Sequence, residues 1–377
     1  MAWVWGSAPV MPPTRRLGVA AALVDGEVVP GDVVLRGGVI DAVGQSMGRG
    51  ARGIAVAGFV DWQVNGFAGV HFTDADPEGF VRAGDALARA GVVWAAPTIL
   101  DTTLGRYERA LAVLAEFGRD HPEGGYLGAH LEGPNLAAEF RGAHDASNFT
   151  DGDTRLVDRL IRAGPVSMVT LAPDRRGVME MIPRWIESGV FVSLRHTNAD
   201  AATCVAAMSR GARAITHCWN AHRRFSPRDP GPAGWALSSS EVTVGLIADG
   251  VHVAPEVLVV TFAAASGRVA LTTDAVAAAC AEGDRPSSRG PALVAQGAAR
   301  LVDGTLAGSV ATPTRMLRVL EASGVPFEAG VHALSAPQAA ALGLRRNLLR
   351  PGDPADVTVL ADDHGVLQTW RRGVRVF

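Results

Sequence analysis

A chain of 377 residues with 48% hydrophobic content can bury a large core, with room for one big α/β domain and a small accessory one. The formal net charge of -3 leaves no electrostatic footprint for nucleic acid, and the densest basic run, His222-Arg223-Arg224, is too short to make one. No lysine occurs, so all 35 basic residues are arginine, which excludes Schiff-base chemistry, pyridoxal phosphate attachment and the P-loop lysine.

Near the start, Arg15-Arg16 precede an apolar run from Leu17 to Val24 that has the outline of an export signal. Asp25-Gly26-Glu27 interrupts it and strand-like alternation resumes, which predicts a first hairpin instead. Short strands separated by Gly and Asp turns continue to residue 56, and residues 355–377 read the same way. The expectation is a small β-sandwich domain built from both termini, residues 1–57 and 349–377, around a middle domain at 58–348.

In that middle, eight apolar strand candidates alternate with helical stretches: 59–65, 92–98, 127–132, 167–172, 191–196, 214–217, 243–249 and 269–274. Ala-rich segments such as Phe80 to Ala90 and Ala199 to Arg210 supply the helices. Eight such units predict a (β/α)8 TIM-like barrel, with an open doubly wound sheet as the alternative. No apolar stretch reaches the roughly 20 residues that span a bilayer. Cys204, Cys218 and Cys280 form neither a disulfide framework nor a metal-binding pair, which fits a reducing cytoplasm.

The first barrel strand, GFVDWQVNGF at 58–67, places Asp61, Gln63 and Asn65 on one face and Val60, Trp62 and Val64 on the other. Those polar groups either face solvent or line a cavity. In a barrel the active site lies at the carboxyl ends of the strands, so polar residues that close apolar strands are the functional candidates. Four strand ends supply Glu132, His196, His217 and Asp274. One carboxylate and two imidazoles can hold Zn²⁺ or another divalent cation with a position left for water, and Asp274 can take that water's proton. Each residue alone is more often structural, and it is the joint placement that carries the reading. His130, two residues deeper than Glu132, is read as a core residue supporting it. His144 and His252 lie just past strand ends, where substrate contact and solvent exposure are equally open.

The motifs GFVDWQVNG (58–66), HLEGPN (130–135), RGAHD (141–145), RHTNA (195–199), THCWNA (216–221), RDPGPAG (228–234), IADGVHV (247–253), TTDA (272–275) and GTLAGS (304–309) resemble those of the N-acetylglucosamine-6-phosphate deacetylases of the amidohydrolase superfamily. The resemblance runs almost end to end. It implies Glu132, His196 and His217 as ligands of one divalent ion, zinc first with iron, cobalt and manganese also open, and Asp274 as general base. It further implies His144 on the acetamide carbonyl, and Ala143, Asn220, Ala221, His252, Leu306 and Ala307 on the sugar phosphate. Arg228 would reach the neighbouring subunit's phosphate, so a homodimer is implied.

Where the superfamily's first strand carries His-x-His for a second metal, this chain has Gln63 and Asn65, which predicts a single ion and carboxamides bonded to water or substrate. Other departures are Ala57, the loop from His222 to Pro227, and Leu194-Arg195 before His196, where the family usually has Ala-Gly. Strand alternation predicts that Arg195 points outward, toward the helices, unless the strand has already ended; turned inward, it adds a cation to the site. The competing functions are deacetylation of a related acetamido sugar or aminocyclitol, phosphorylated or not, and a catalytically silent scaffold.

Overall fold

The computed structural model describes residues 14–281, 293–295 and 297–377. The first thirteen residues of the range assigned to the small domain lie outside the described residues. Eight parallel strands form one sheet: β1 (Phe59–Val64), β2 (Val92–Leu100), β3 (Ala129–Glu132), β4 (Val166–Leu171), β5 (Phe191–Leu194), β6 (Ala214–Ile215), β7 (Thr243–Leu246) and β8 (Val269–Leu271), in that spatial order. Helices connect them, as the alternation of apolar strands with Ala-rich stretches predicts. This is the expected (β/α)8 barrel.

Local chemistry sets the helix starts. Pro77–Arg89 begins three residues before the predicted Phe80, because the Asp76 side chain accepts from Gly79 N at 2.7 Å and proline is tolerated in the first turn. Phe80, Ala83 and Leu87 then recur at helical spacing and are buried. Asp200 caps Ala201–Ser209 in the same way, accepting from Thr203 N at 2.8 Å.

The barrel interior is layered. At the amino-terminal end, Val60, Val93 and Trp94 pack with Ala339 of the short helix Ala336–Ala341. Above them lie Trp62, Met168, Ala214 and Ala270. The next layer is polar: His130 lies 3.0 Å from Trp62 O and 2.7 Å from Thr170 Oγ1, and hydroxyl pairs continue from Thr170 to Thr216 and from Thr216 to Ser193. All four side chains are buried, and each finds a partner. His130 is thus a core residue, its basicity lowered to about 4, chiefly by burial.

No ladder joins β8 to β1; the closure is made just beyond the strands. Asp274 N donates to Gln63 O at 3.0 Å, and Asn65 N to Ala275 O at 2.8 Å. Asp61, buried below them, accepts from Thr272 Oγ1 at 2.8 Å, from Gln63 N at 3.2 Å, from Thr273 N at 3.3 Å and from the Thr273 hydroxyl.

Both ends of the chain meet in a second body of strands. A six-stranded sheet runs Val374–Arg375, Val366–Arg371, Val357–Leu360, Ile54–Ala57, Ala21–Val24 and Glu27–Pro30. Its last two strands are the hairpin read at the start of the chain, antiparallel around Asp25-Gly26. A three-stranded sheet of Thr14–Arg16, Asp32–Arg36 and Val39–Gln45 faces it across a core that includes Ala22, Val33, Leu35, Ile40, Val357 and Trp370. Among the described residues, no helix is long and apolar enough to cross a membrane.

Asp61→Ala strands buried hydroxyl and backbone donors, and at about 1–3 kcal/mol per unsatisfied group the expected loss is about 2–4 kcal/mol, read at pH 7 as a lower urea midpoint with unchanged m. Burial raises the Asp61 carboxyl to about 6, against hydrogen bonds from Thr273, Thr272 and the Gln63 and Thr273 backbone that lower it. The folded chain therefore keeps this proton to about pH 6, whereas the unfolded chain releases it near 3.8, and the stability it contributes falls as pH rises between those values. The stability of Asp61→Asn relative to the unsubstituted chain should accordingly rise from pH 4 to pH 7, by roughly 2 kcal/mol at about 1.36 kcal/mol per unit.

Candidate active site

The four residues singled out at strand ends come together at the carboxyl mouth of the barrel. Glu132 is the last residue of β3, but β5, β6 and β8 end two or three residues earlier than predicted, at Leu194, Ile215 and Leu271. His196, His217 and Asp274 stand on the turns that follow, with φ of 48°, 30° and 47°. This left-handed conformation costs energy in a non-glycine residue and is held by surrounding structure, a feature that concentrates at functional sites. It turns the three side chains inward over the end of the sheet.

Glu132 Oε1 lies 3.3 Å from His196 Nε2 and 3.2 Å from His217 Nε2, and the potential ligand atoms of the three residues all fall within 4.8 Å of one another. His196 Nδ1 donates to Phe140 O at 2.6 Å, which leaves a lone pair on Nε2 directed at the carboxylate oxygen. Burial, then the Arg195 charge, hold the His196 pKa down at about 3, so no second proton relieves that contact between two acceptors. A cation between them does. The donor set fits a divalent metal ion, with His196 oriented through its other ring nitrogen as ligating histidines usually are.

Asp274 faces this cluster. Burial first and the Glu132 charge second raise its carboxyl to about 7, which suits a group that takes and returns a proton near neutrality. Asn65 Nδ2 donates to Asp274 Oδ1 at 2.8 Å, and Gln63 Nε2 to Glu132 Oε2 at 3.3 Å. Each carboxamide thus holds a carboxylate, while Asn65 Oδ1 and Gln63 Oε1 stay buried without a partner among the described residues. His144 Nδ1 bonds Asp101 Oδ1, and its Nε2 lies 3.8 Å from Glu132 Oε1. Burial lowers the His144 pKa, but the bonds to Asp101 and Glu132 outweigh it and leave it raised. Glu132 is likewise driven up by burial, yet His144 and His196 bring it well below the usual carboxylate range.

Arg195 corrects the sequence reading. Because β5 ends at Leu194, strand alternation no longer applies at 195, and the side chain turns into the mouth. Nη1 donates to Glu132 Oε1 at 3.4 Å and Nε to Asn220 O at 3.1 Å, with the residue only 5% exposed.

These groups border a cavity of about 450 Å³ whose lining includes Asn65, Ala143, His144, Asn220, Ala221, His252, Leu306 and Ala307. Arg228 is exposed and outside that lining. In the neighbouring loop, Arg223 is paired with Asp229 at 2.6 Å and Arg224 is exposed, so neither arginine faces the cavity. The hairpin strands Ala298–Arg300 and Leu306–Ser309 border the mouth, and Ser309 N donates to Asp274 O at 3.0 Å. Gly308, at φ 108°, passes so close that a Cβ would lie 2.8 Å from Asp274 O.

Sequence reasoning missed two carboxylates that hold histidines: Asp101 on His144, and Asp249, whose Oδ2 is 2.7 Å from His252 Nδ1. Both follow apolar runs, at 92–100 and 243–248, so the strand-end rule that found Glu132 covers them too.

No protein-family model matches the chain. It is 35% identical over 344 residues to N-acetylglucosamine-6-phosphate deacetylase of Danio rerio, covering 86% of this chain and 84% of that protein. It is 31% identical over 322 residues to N-acetylgalactosamine-6-phosphate deacetylase of Escherichia coli O157:H7, covering 84% and 85%. The structure of an N-acetyl-D-glucosamine-6-phosphate deacetylase mutant from Mycobacterium smegmatis, in complex with N-acetyl-D-glucosamine-6-phosphate, superposes with a TM-score of 0.89 at 31% identity, over 96% of this chain and 99% of that one. With relatives this similar over most of its length, the chain belongs to the N-acetylglucosamine-6-phosphate deacetylase family.

Proposed function

We propose that this enzyme hydrolyses the N-acetyl group of N-acetylglucosamine 6-phosphate, giving glucosamine 6-phosphate and acetate, with one divalent ion held by Glu132, His196 and His217. The observation that carries the reading is Glu132 Oε1 placed between two imidazole Nε2 atoms at 3.2–3.3 Å, in one cavity with Asp274. A bound cation, zinc by preference, supplies acidification of a water and polarisation of the acetamide carbonyl.

The protein's own groups do the rest. Asp274, oriented by Asn65, accepts the proton of the attacking water and passes it to the departing sugar nitrogen. His144, whose pKa is raised by its bonds to Asp101 and Glu132, donates a hydrogen bond in its protonated form to the carbonyl oxygen as negative charge develops there. Asn220 and Ala221 hold the 6-phosphate, His252 contacts the sugar, and Leu306 and Ala307 close over the ring. The proposal includes a cytoplasmic homodimer in which Arg228 reaches the partner's phosphate. Its exposure and absence from its own cavity support that role, since guanidinium is suited to bidentate phosphate binding. The similarity to a deacetylase of N-acetylgalactosamine 6-phosphate makes that epimer the second substrate to test.

Asp274→Asn should lower kcat by 10³-fold or more with metal content unchanged, measured by acetate release and elemental analysis; turnover near the unsubstituted rate rules out the assigned base. Arg228→Ala should raise KM for the phosphorylated sugar about tenfold, leave kcat within about twofold and spare the unphosphorylated sugar, as one lost ground-state phosphate contact predicts. Parallel rates on both epimers, with and without the 6-phosphate, decide the substrate.

A further inference from the structure

The two oxygens of Glu132 have separate neighbours. Oε2 takes the amide of Gln63 at 3.3 Å. Oε1 faces His196 Nε2 at 3.3 Å, His217 Nε2 at 3.2 Å, the Arg195 guanidinium at 3.4 Å and, farther off, His144 Nε2 at 3.8 Å. The oxygen that completes the candidate metal site is therefore already engaged by a cation of the protein. That cation has nowhere to retreat, because Arg195 is buried and its Nε is tied to the carbonyl of Asn220. It also cannot shed its charge at any ordinary pH.

We propose that Arg195 sets the metal affinity of this site by competing with the ion for Glu132 Oε1. When the ion is absent the guanidinium neutralises the buried carboxylate; when the ion is present, two cations share one oxygen and repel each other through a weakly screening interior. The inference rests on Glu132, His196 and His217 holding a metal ion. An arginine that merely steadied its carboxylate would have the contrary effect and strengthen metal binding. Gln63 decides between them: it fixes Glu132 from the other oxygen, so the ligand keeps its orientation without Arg195.

The test is zinc affinity, measured on metal-stripped full-length protein at pH 7 by competition with a chromophoric chelator, together with the Tm of the stripped and zinc-loaded forms. Two neutral variants, Arg195→Met and Arg195→Gln, guard against one that fails to fold; Arg195→Lys keeps the charge. Competition predicts that the neutral variants bind Zn²⁺ roughly tenfold tighter or more, and that Arg195→Lys stays within about threefold of the unsubstituted chain. It also predicts a lower Tm for the stripped neutral variants, in which Glu132 loses its guanidinium partner, and a larger rise in their Tm on adding zinc. Neutral variants that bind zinc no tighter than the unsubstituted chain overturn the proposal while leaving the metal site standing. An unsubstituted chain that binds no zinc, iron, cobalt or manganese overturns the metal site and the proposal with it.

Discussion

Asp61 is buried beneath the mouth of the barrel, where β1 and β8 meet without a strand ladder, and its carboxylate gathers the hydroxyls of Thr272 and Thr273 with two backbone N–H groups. Directly above, backbone bonds from Asp274 to Gln63 and from Asn65 to Ala275 complete the circle. The site depends on this seam. The proposed base and the amide that orients it come from opposite sides of it, and Gln63, which orients Glu132, lies two residues before Asn65. An open edge here would leave each group with unpaired backbone and no fixed distance to the others.

The mouth concentrates charges that burial alone would suppress, and it does so by letting each excuse another. Glu132 is held well below the usual carboxylate range with His144 and the Arg195 guanidinium beside it. Burial, then the Glu132 charge, raises the Asp274 carboxyl to about 7, and the bonds to Asp101 and Glu132 raise the His144 pKa. His196 is the exception that matters: burial and the neighbouring guanidinium deny it a proton, leaving the neutral imidazole that a metal requires. A chain whose cations are all arginine gains something here, because a guanidinium holds its charge where a buried ammonium would lose it.

Much of this was legible in the residues. All eight barrel strands can be read from apolar runs and their spacing, and the rule about strand ends picks out Glu132, His196, His217 and Asp274 before any coordinates. What escapes is the last two residues of a strand. Period-two alternation is a property of extended backbone, and at His196, His217 and Asp274 the chain has already turned left-handed. The outward direction expected for Arg195 fails for that reason, since it sits between the end of β5 and one of those turns. Asp101 and Asp249 were visible but unused, because their partners, His144 and His252, acquire meaning only once a loop brings carboxylate and ring together. Gln63 and Asn65 are open in sequence between solvent and a cavity, with bonds to water or substrate expected; both are buried, and that each grips a carboxylate depends on distances a sequence does not hold.

The hairpin that carries Leu306 and Ala307 is stitched to Asp274 through Ser309 N, and Gly308 leaves no room for a side chain between them. The wall that helps shape the pocket and the carboxylate proposed as the base are consequently tied to each other through backbone. Reshaping that wall for a new sugar would disturb the chemistry itself, so variation in substrate has little freedom on this side of the mouth. The freedom lies across the cavity, in the loop from His222 to Pro227, whose arginines touch neither the cavity nor the base. Within this architecture, reaction and recognition can diverge only where they do not share a backbone.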